Sequence, residues 1–232
     1  MSAALGTWID GVRGDRLPAD DRGLHYGDGL FETLIVRTGK VRFLDAHLAR
    51  LASGCARLGI GFDAMNELRA EIAAAVSLGP PEAVLKIVVT RGSATRRGYA
   101  PAGNETARRV LSSWPATALP ATLAQGVDLC LSSHRLVSDP ALAGIKHLSR
   151  IGNVLAAAEA SKAACFDAVL LDAAGQLISG AMSNVFIVRG GRVLTPRVDE
   201  SGVAGVMRAV VIRECAALGI EITQTRLTAE EL

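Results

Sequence analysis

The sequence predicts a mixed α/β (α+β) protein built as two domains. Apolar residues alternate over short β-branched runs and recur at three- and four-residue spacing over longer ones, so strands and helices interleave along the chain. Glycine-centred turns separate these runs at short intervals. Residues 115–125 (PATALPATLAQ) carry neither period and read as a connector. The expected boundaries are 1–114 for a smaller N-terminal α/β domain, 115–125 for the linker and 126–232 for a larger C-terminal domain.

Residues 30–36 and 40–44 read as strands joined by a turn at Thr38-Gly39. Asp45 reads as the N-cap of a helix whose apolar positions Leu48, Leu51, Ala52, Cys55 and Leu58 share a face, with Gly59 as its stop. A second helix starts after Asp63, turns Met65, Leu68, Ile72 and Val76 inward, and ends at Gly79-Pro80-Pro81. Residues 83–90 (AVLKIVVT) and 109–113 read as strands. Past the connector come a strand at 127–132, a loop through Asp139-Pro140 to Gly144, and a helix at 149–163. Residues 166–172 form an apolar strand closed by the Ala174-Gly175 turn, and 184–188 with 192–195 make a hairpin around Gly190-Gly191. A helix from Gly205 to Leu218, stopped by Gly219, precedes a strand at 220–225. Thr228 and Glu231 have the spacing of a capping box. One turn of helix is unstable alone, so the natural chain is expected to continue past Leu232.

Composition narrows the function. A net charge of +2 is too small to imply nucleic-acid or anionic-membrane binding, though local arginines can still form an anion pocket. Cys55, Cys130, Cys165 and Cys215 are widely spaced, which fits reduced, mostly packed thiols better than a disulfide framework or a zinc site. His25, His47, His134 and His147 show no metal-ligand spacing, so no metal is expected. No secretion signal and no apolar run of roughly 20 residues is present, which makes the cytoplasm the expected location.

Lys146 draws attention through its setting. Leu142-Ala143-Gly144-Ile145 precede it and a helix follows. An amine at the edge of an apolar segment can be partly desolvated, which lowers its pKa and leaves it nucleophilic.

The stretch GIKHLSRIGNVLAAAEA, residues 144–160, closely resembles the lysine segment of the fold-type IV pyridoxal-phosphate enzymes, the branched-chain and D-amino-acid aminotransferase family. The resemblance implies a two-domain D-amino-acid aminotransferase-like fold, pyridoxal 5'-phosphate as cofactor, and Lys146 as the residue that joins the cofactor aldehyde and shuttles protons. RGLHYGDGLFET (22–33) resembles the family's N-terminal signature. HLARL (47–51) matches the helix whose arginine, here Arg50, holds the cofactor phosphate; a guanidinium can grip a phosphate through two parallel charge-assisted bonds. SGVAGVMR (201–208) matches a second phosphate contact, through the backbone amides of Val206 and Met207 at a helix start.

TRGSATRRGYAP (90–101) is similar to the family's lyase branch, which splits aminodeoxychorismate into 4-aminobenzoate and pyruvate, a step towards folate. There it implies Arg91, Arg97 and Tyr99 as ligands for substrate carboxylates, with Arg96 as the alternative to Arg97. ISGAMSNVF (178–186) departs from the family pattern: Ser179 stands where a glutamate commonly pairs with the pyridine nitrogen. A hydroxyl brings no charge to hold that nitrogen protonated, which disfavours transamination, whereas aromatisation of the product drives the lyase reaction. His147 and Asn184 fall in matched motifs with structural roles expected. The resemblance also implies a homodimer, with no nucleic-acid or membrane partner. Two other readings stay open: an aminotransferase of D-amino or branched-chain amino acids, and a non-catalytic binding protein on the same fold.

Overall fold

The computed structural model describes residues 4–94, 96–118 and 121–232. The chain divides into two compact units, Met1–Ala118 with Lys146–Ser149, and Leu119–Ile145 with Arg150–Leu232.

The first unit contains β1 (Gly6–Ile9), β2 (Val12–Arg13), α1 (Arg22–Tyr26), β3 (Gly29–Arg37), β4 (Lys40–Val41), α2 (Leu44–Leu58), α3 (Met65–Leu78), β5 (Ala83–Thr90) and β6 (Arg108–Pro115). Its strands form one sheet in the order β2-β1-β6-β5-β3-β4, with every pair antiparallel. Alternation along β3 and β5 turns Leu30, Leu34, Val36, Leu85, Ile87 and Val89 inward, where they are buried with Leu48, Leu51 and Cys55 of α2 and Leu68 and Ile72 of α3. Each such side chain contributes about 1.5–3 kcal/mol through burial. Gly54 permits the close approach of α2 to β3: a Cβ there would lie 2.5 Å from Leu30 Cδ2. The opposite face carries half-buried Phe31 and exposed Thr33, Ile35 and Lys86.

The expected hairpin is present, with Thr38 (φ 50) and Gly39 (φ 69) both left-handed, as a tight two-residue hairpin turn requires. Its second strand has only two residues, because Phe43 (φ 54) turns the chain into α2. Phe43 therefore occupies the cap position expected for Asp45, and Asp45 lies inside the first turn, paired with Arg69 at 2.8 Å. Gly59 (φ 61) stops α2 as expected.

The second unit contains β7 (Leu129–Leu136), α4 (Ile151–Lys162), β8 (Asp167–Asp172), β9 (Leu177–Gly180), β10 (Ile187–Arg189), β11 (Arg192–Pro196), α5 (Val206–Ala217) and β12 (Ile222–Thr225). Two three-stranded sheets result, β7-β8-β9 and β10-β11-β12. The parallel pairs β7/β8 and β11/β12 each need a crossover, supplied by α4 and α5. Central β8 is buried along its whole length. Its Ala168 and Leu170 pack with Ala156 and Ala160 of α4, while Val169 and Leu171 pack with Leu177 and Leu227.

Short 3-10 turns occupy Ala121–Gln125 and Ala229–Glu231, the latter with the Thr228/Glu231 capping box read from the sequence. β7 starts and ends later than the strand expected at 127–132, with a register shift between Leu131 and Arg135. Ser132 and Ser133 of this stretch both donate to Glu159 of α4, which supports the strand past its expected end.

Candidate active site

In the first unit, residues 146–148 run antiparallel along the edge of β3 that β4 leaves open. Phe31 N–H donates to Lys146 O and Leu148 N–H to Gly29 O, both at 2.9 Å, around a bridge between Leu30 and His147. Alternation then places His147 on the buried Leu30 side and Lys146 on the Phe31 side. Lys146 Nζ lies 4.3 Å from the Phe31 ring centroid, and Lys86 Nζ of β5 lies 5.4 Å from the same centroid. Both ammonium groups are thus within cation–π reach of one ring, on the face of the sheet opposite α2. The sequence reading singled out Lys146 and missed Lys86, whose only signal was a lone cation in the apolar run 83–90.

On the other face, β3 and α2 bring together three groups. Glu32, 1% exposed, accepts from Arg50 Nε at 2.7 Å, Arg50 Nη2 at 2.5 Å and His47 Nδ1 at 2.7 Å. Burial by itself would raise the Glu32 carboxyl, but the hydrogen bonds and charges of Arg50 and His47 outweigh it and hold it below the usual range. The Nε/Nη2 edge of Arg50, which could have gripped a phosphate in parallel fashion, is occupied by Glu32. Glu32 was not singled out from the sequence. An acidic residue at an inward strand position was the available signal, because a buried carboxylate requires partners.

A second ionic cluster anchors the 90–101 segment. Asp28 accepts from Arg22 Nε and Arg91 Nε, each at 2.8 Å. Arg91 also donates to Gly59 O at 2.7 Å and Leu58 O at 2.8 Å, so it ties this segment to the end of α2. Arg22, nearly buried, reaches Gly98 O at 3.3 Å and Tyr99 O at 2.5 Å. Tyr99 is 83% exposed, with its ring 5.3 Å from that of Tyr26. Arg97 is exposed, and Arg96 donates to Pro101 O at 3.0 Å. Of the three residues expected to bind substrate, Arg91 is engaged in holding the base of the segment, while Arg97 and Tyr99 stand towards solvent.

In the second unit, Gly205 caps α5 without any side-chain hydrogen bond, and the amides of Val206 and Met207 have no acceptor among the described residues. The loop before them is well held: Ala204 N–H donates to Gly144 O and Gly144 N–H to Gly202 O, both at 3.0 Å, and Asn184 Nδ2 donates to Val203 O at 2.9 Å. A Cβ on Gly205 would collide with Asn184 Oδ1, so glycine lets Asn184 keep its bond to Val203 O. Buried Ser179 lies on β9 opposite Leu170, and its hydroxyl has no hydrogen-bond partner among the described residues. Asp167 shapes the neighbouring turn by accepting from Ala181 N–H at 3.1 Å and Ser183 Oγ at 2.7 Å. Free amides at the start of a twelve-residue helix fit a phosphate group. A neutral hydroxyl at Ser179 fits an uncharged ring nitrogen.

Among the described residues, no group of His, Cys, Asp and Glu could hold a metal ion, and no helix is long and apolar enough to cross a membrane.

The family model for amino-transferase class IV matches residues 29–232. The chain belongs to this family. Pyridoxal phosphate is the cofactor that goes with it. The chain is 35% identical over 227 residues to aminodeoxychorismate lyase of Vibrio harveyi, covering 97% of this chain and 83% of that protein. It is 32% identical to a putative branched-chain-amino-acid aminotransferase of Methanocaldococcus jannaschii, covering 91% and 74%. The crystal structure of 4-amino-4-deoxychorismate lyase from Pseudomonas aeruginosa superposes with a TM-score of 0.90 at 40% identity, covering 97% of this chain and 83% of that one. These matches agree with the mixed α/β fold expected from the sequence.

Proposed function

We propose that this class IV chain is a pyridoxal-phosphate-dependent lyase that converts 4-amino-4-deoxychorismate to 4-aminobenzoate and pyruvate. The observation that carries the proposal is the placement of Lys146 and Lys86 on the Phe31 ring. Lys146 brings an amine suited to covalent and proton-transfer work, and a second cation suits a substrate with two carboxylates. The 35% and 40% identities to lyases support the same substrate class.

Pyridoxal phosphate, when bound, supplies an aldehyde for the substrate amine and an aromatic ring that withdraws electrons from the bond being broken. In the first unit Arg50, its guanidinium fixed by Glu32 and His47, is a ligand for phosphate, and in the second unit the amides of Val206 and Met207 are another. Ser179 offers a neutral hydrogen bond in place of a charge. Lys146 Nζ removes the proton from the amine-bearing ring carbon and delivers a proton to the methylene carbon of the departing enol group. Pyruvate leaves, and the substrate ring becomes aromatic. Lys86, Arg97 and Tyr99 bind the substrate carboxylates, while Arg91 holds the base of the loop that carries the latter two. The active assembly is a homodimer in the cytoplasm, serving folate synthesis.

A coupled assay separates this reading from its rivals. Pyruvate release from aminodeoxychorismate, without amino transfer from D-alanine or leucine to 2-oxoglutarate, is the expected result. Transfer without pyruvate release would assign the chain to the aminotransferases, and cofactor binding without either activity would make it a binding protein.

A further inference from the structure

The loop between β5 and β6 is moored on residues 20–28. Its stems are tied by Arg22 N–H to Gly92 O at 2.8 Å, Arg91 N–H to Asp28 O at 3.0 Å and Ala94 N–H to Asp20 O at 3.0 Å. Thr90 Oγ1 and Arg108 Nη1 both donate to buried Asp21, at 3.0 and 2.6 Å. The tip is held by one side chain. Arg22 is 3% exposed, and all three of its guanidinium nitrogens donate: Nε to Asp28 Oδ2 at 2.8 Å, Nη1 to Gly98 O at 3.3 Å and Nη2 to Tyr99 O at 2.5 Å. Among the described residues, 96–103 make no other hydrogen bond outside the loop. The far side closes on itself, with Glu105 accepting from Ala102 N–H at 2.6 Å and Gly103 N–H at 2.9 Å.

We propose that Arg22 is a positioning residue for substrate binding: aimed by Asp28, its guanidinium holds the carbonyls of Gly98 and Tyr99 and so sets where the side chains of Arg97 and Tyr99 meet the substrate carboxylates. The proposal rests on the lyase reading, in which those two side chains are substrate ligands. A guanidinium is planar and presents its donors in a fixed fork, so an ion pair on one edge dictates the direction of the others. The two carbonyls lie on either side of the Tyr99 Cα. Holding both fixes the direction in which the tyrosine side chain leaves the backbone. Gly98, at φ 105, supplies the turn between Arg97 and that held pair.

Asp28 couples the two ends of this arrangement. It accepts from Arg22, which holds the tip, and from Arg91, which holds the base, each at 2.8 Å. Burial would raise its carboxyl, but the hydrogen bonds and charges of Arg91 and Arg22 outweigh that, so the aiming charge persists at neutral pH. A loop ordered before substrate arrives saves the cost of ordering it on binding. That saving is the same in the bound ground state and the transition state, so it belongs to KM more than to kcat.

Steady-state kinetics of the full chain with its cofactor, and trypsin digestion of the same samples, test the proposal. Arg22→Gln should raise KM for aminodeoxychorismate about tenfold while kcat stays within about twofold. Trypsin should cut that variant faster after exposed Arg96 and Arg97. Arg22→Lys keeps a charge for Asp28 but loses the fork, so its KM should stay raised, and it replaces the glutamine variant if that one fails to fold. In an Arg97→Ala, Tyr99→Phe background, Arg22→Gln should change KM by less than about twofold, because the groups it positions are gone. A KM unchanged in both Arg22 variants, an equal rise in both backgrounds, or an unaltered rate of cleavage would overturn the proposal. Amino transfer in place of pyruvate release by the unsubstituted chain would instead sink the lyase reading. The same comparison with the amino donor as substrate would then decide the role of Arg22.

Discussion

Glu32 and Arg50 form a two-point ion pair between β3 and α2, with Nε–Oε1 at 2.7 Å and Nη2–Oε2 at 2.5 Å. On the sheet's inner face the Glu32 carboxylate is thus neutralised by this arginine together with His47. Replacing Glu32 by Gln keeps the shape and removes the charge. We expect the cofactor-free protein to lose about 3 kcal/mol of stability in denaturant titration, the cost of leaving a buried charge uncompensated. A loss below about 1 kcal/mol, typical of an exposed pair, would show that the pair is not a structural element.

The same pair fixes the response to acid. Glu32 and Asp28 both have folded-state pKa values held below their ordinary range, in each case because arginine contacts outweigh the raising effect of burial. The native state therefore binds fewer protons than the unfolded chain at low pH. The contribution is fully present above the unfolded carboxylate range, roughly pH 4, and is lost as pH falls through the lowered native values. Melting temperature measured against pH should stay level above that range and drop below it, and Glu32→Gln should flatten part of the drop. An acid limb unchanged in that variant would assign the response to other carboxylates.

Arg91 and Arg97 should separate cleanly by substitution. Arg91→Ala removes the donors to Asp28, Leu58 O and Gly59 O, so a loss of about 2–3 kcal/mol is expected from unsatisfied partners. Exposed Arg97→Ala should change stability by less than about 0.5 kcal/mol. Its expected effect is a rise in KM for aminodeoxychorismate of about tenfold, equivalent to ~1.4 kcal/mol, with a smaller change in kcat. An unaltered KM would remove Arg97 from the substrate site.

The elements with strong periodicity were legible in the sequence. Residues 83–90 form β5 over the span expected, and α3 and α5 fall within one or two residues of their expected ends. The short elements β1, β2, α1 and β9 were not, because pairing (β2 with β1, β1 with β6, β9 with β8) and local capping define them more than any period of their own. Asp45 looked like a cap, but the left-handed backbone at Phe43 started the helix earlier. At the site, the motifs pointed to Lys146 and Arg50 one at a time. They gave no indication that β3 would set Phe31 within reach of two lysines and turn Glu32 to Arg50, because those contacts join segments far apart in the chain.

Ser179 makes a chemical prediction. A hydroxyl supplies no counter-charge for a protonated pyridine nitrogen, so the unsubstituted protein should depend little on that charge. In Ser179→Glu, the amino-transfer half-reaction with D-alanine should rise by at least about tenfold, ~1.4 kcal/mol, while pyruvate release changes less. A lyase activity present only in the Glu variant would contradict this account of the site.

The most direct test is borohydride reduction of the full chain after incubation with pyridoxal phosphate, followed by peptide mapping. The account predicts a single pyridoxyl group on Lys146 and none on Lys86, its neighbour across the Phe31 ring. A sample that takes up no cofactor, or carries the label on Lys86 or another lysine, would contradict it.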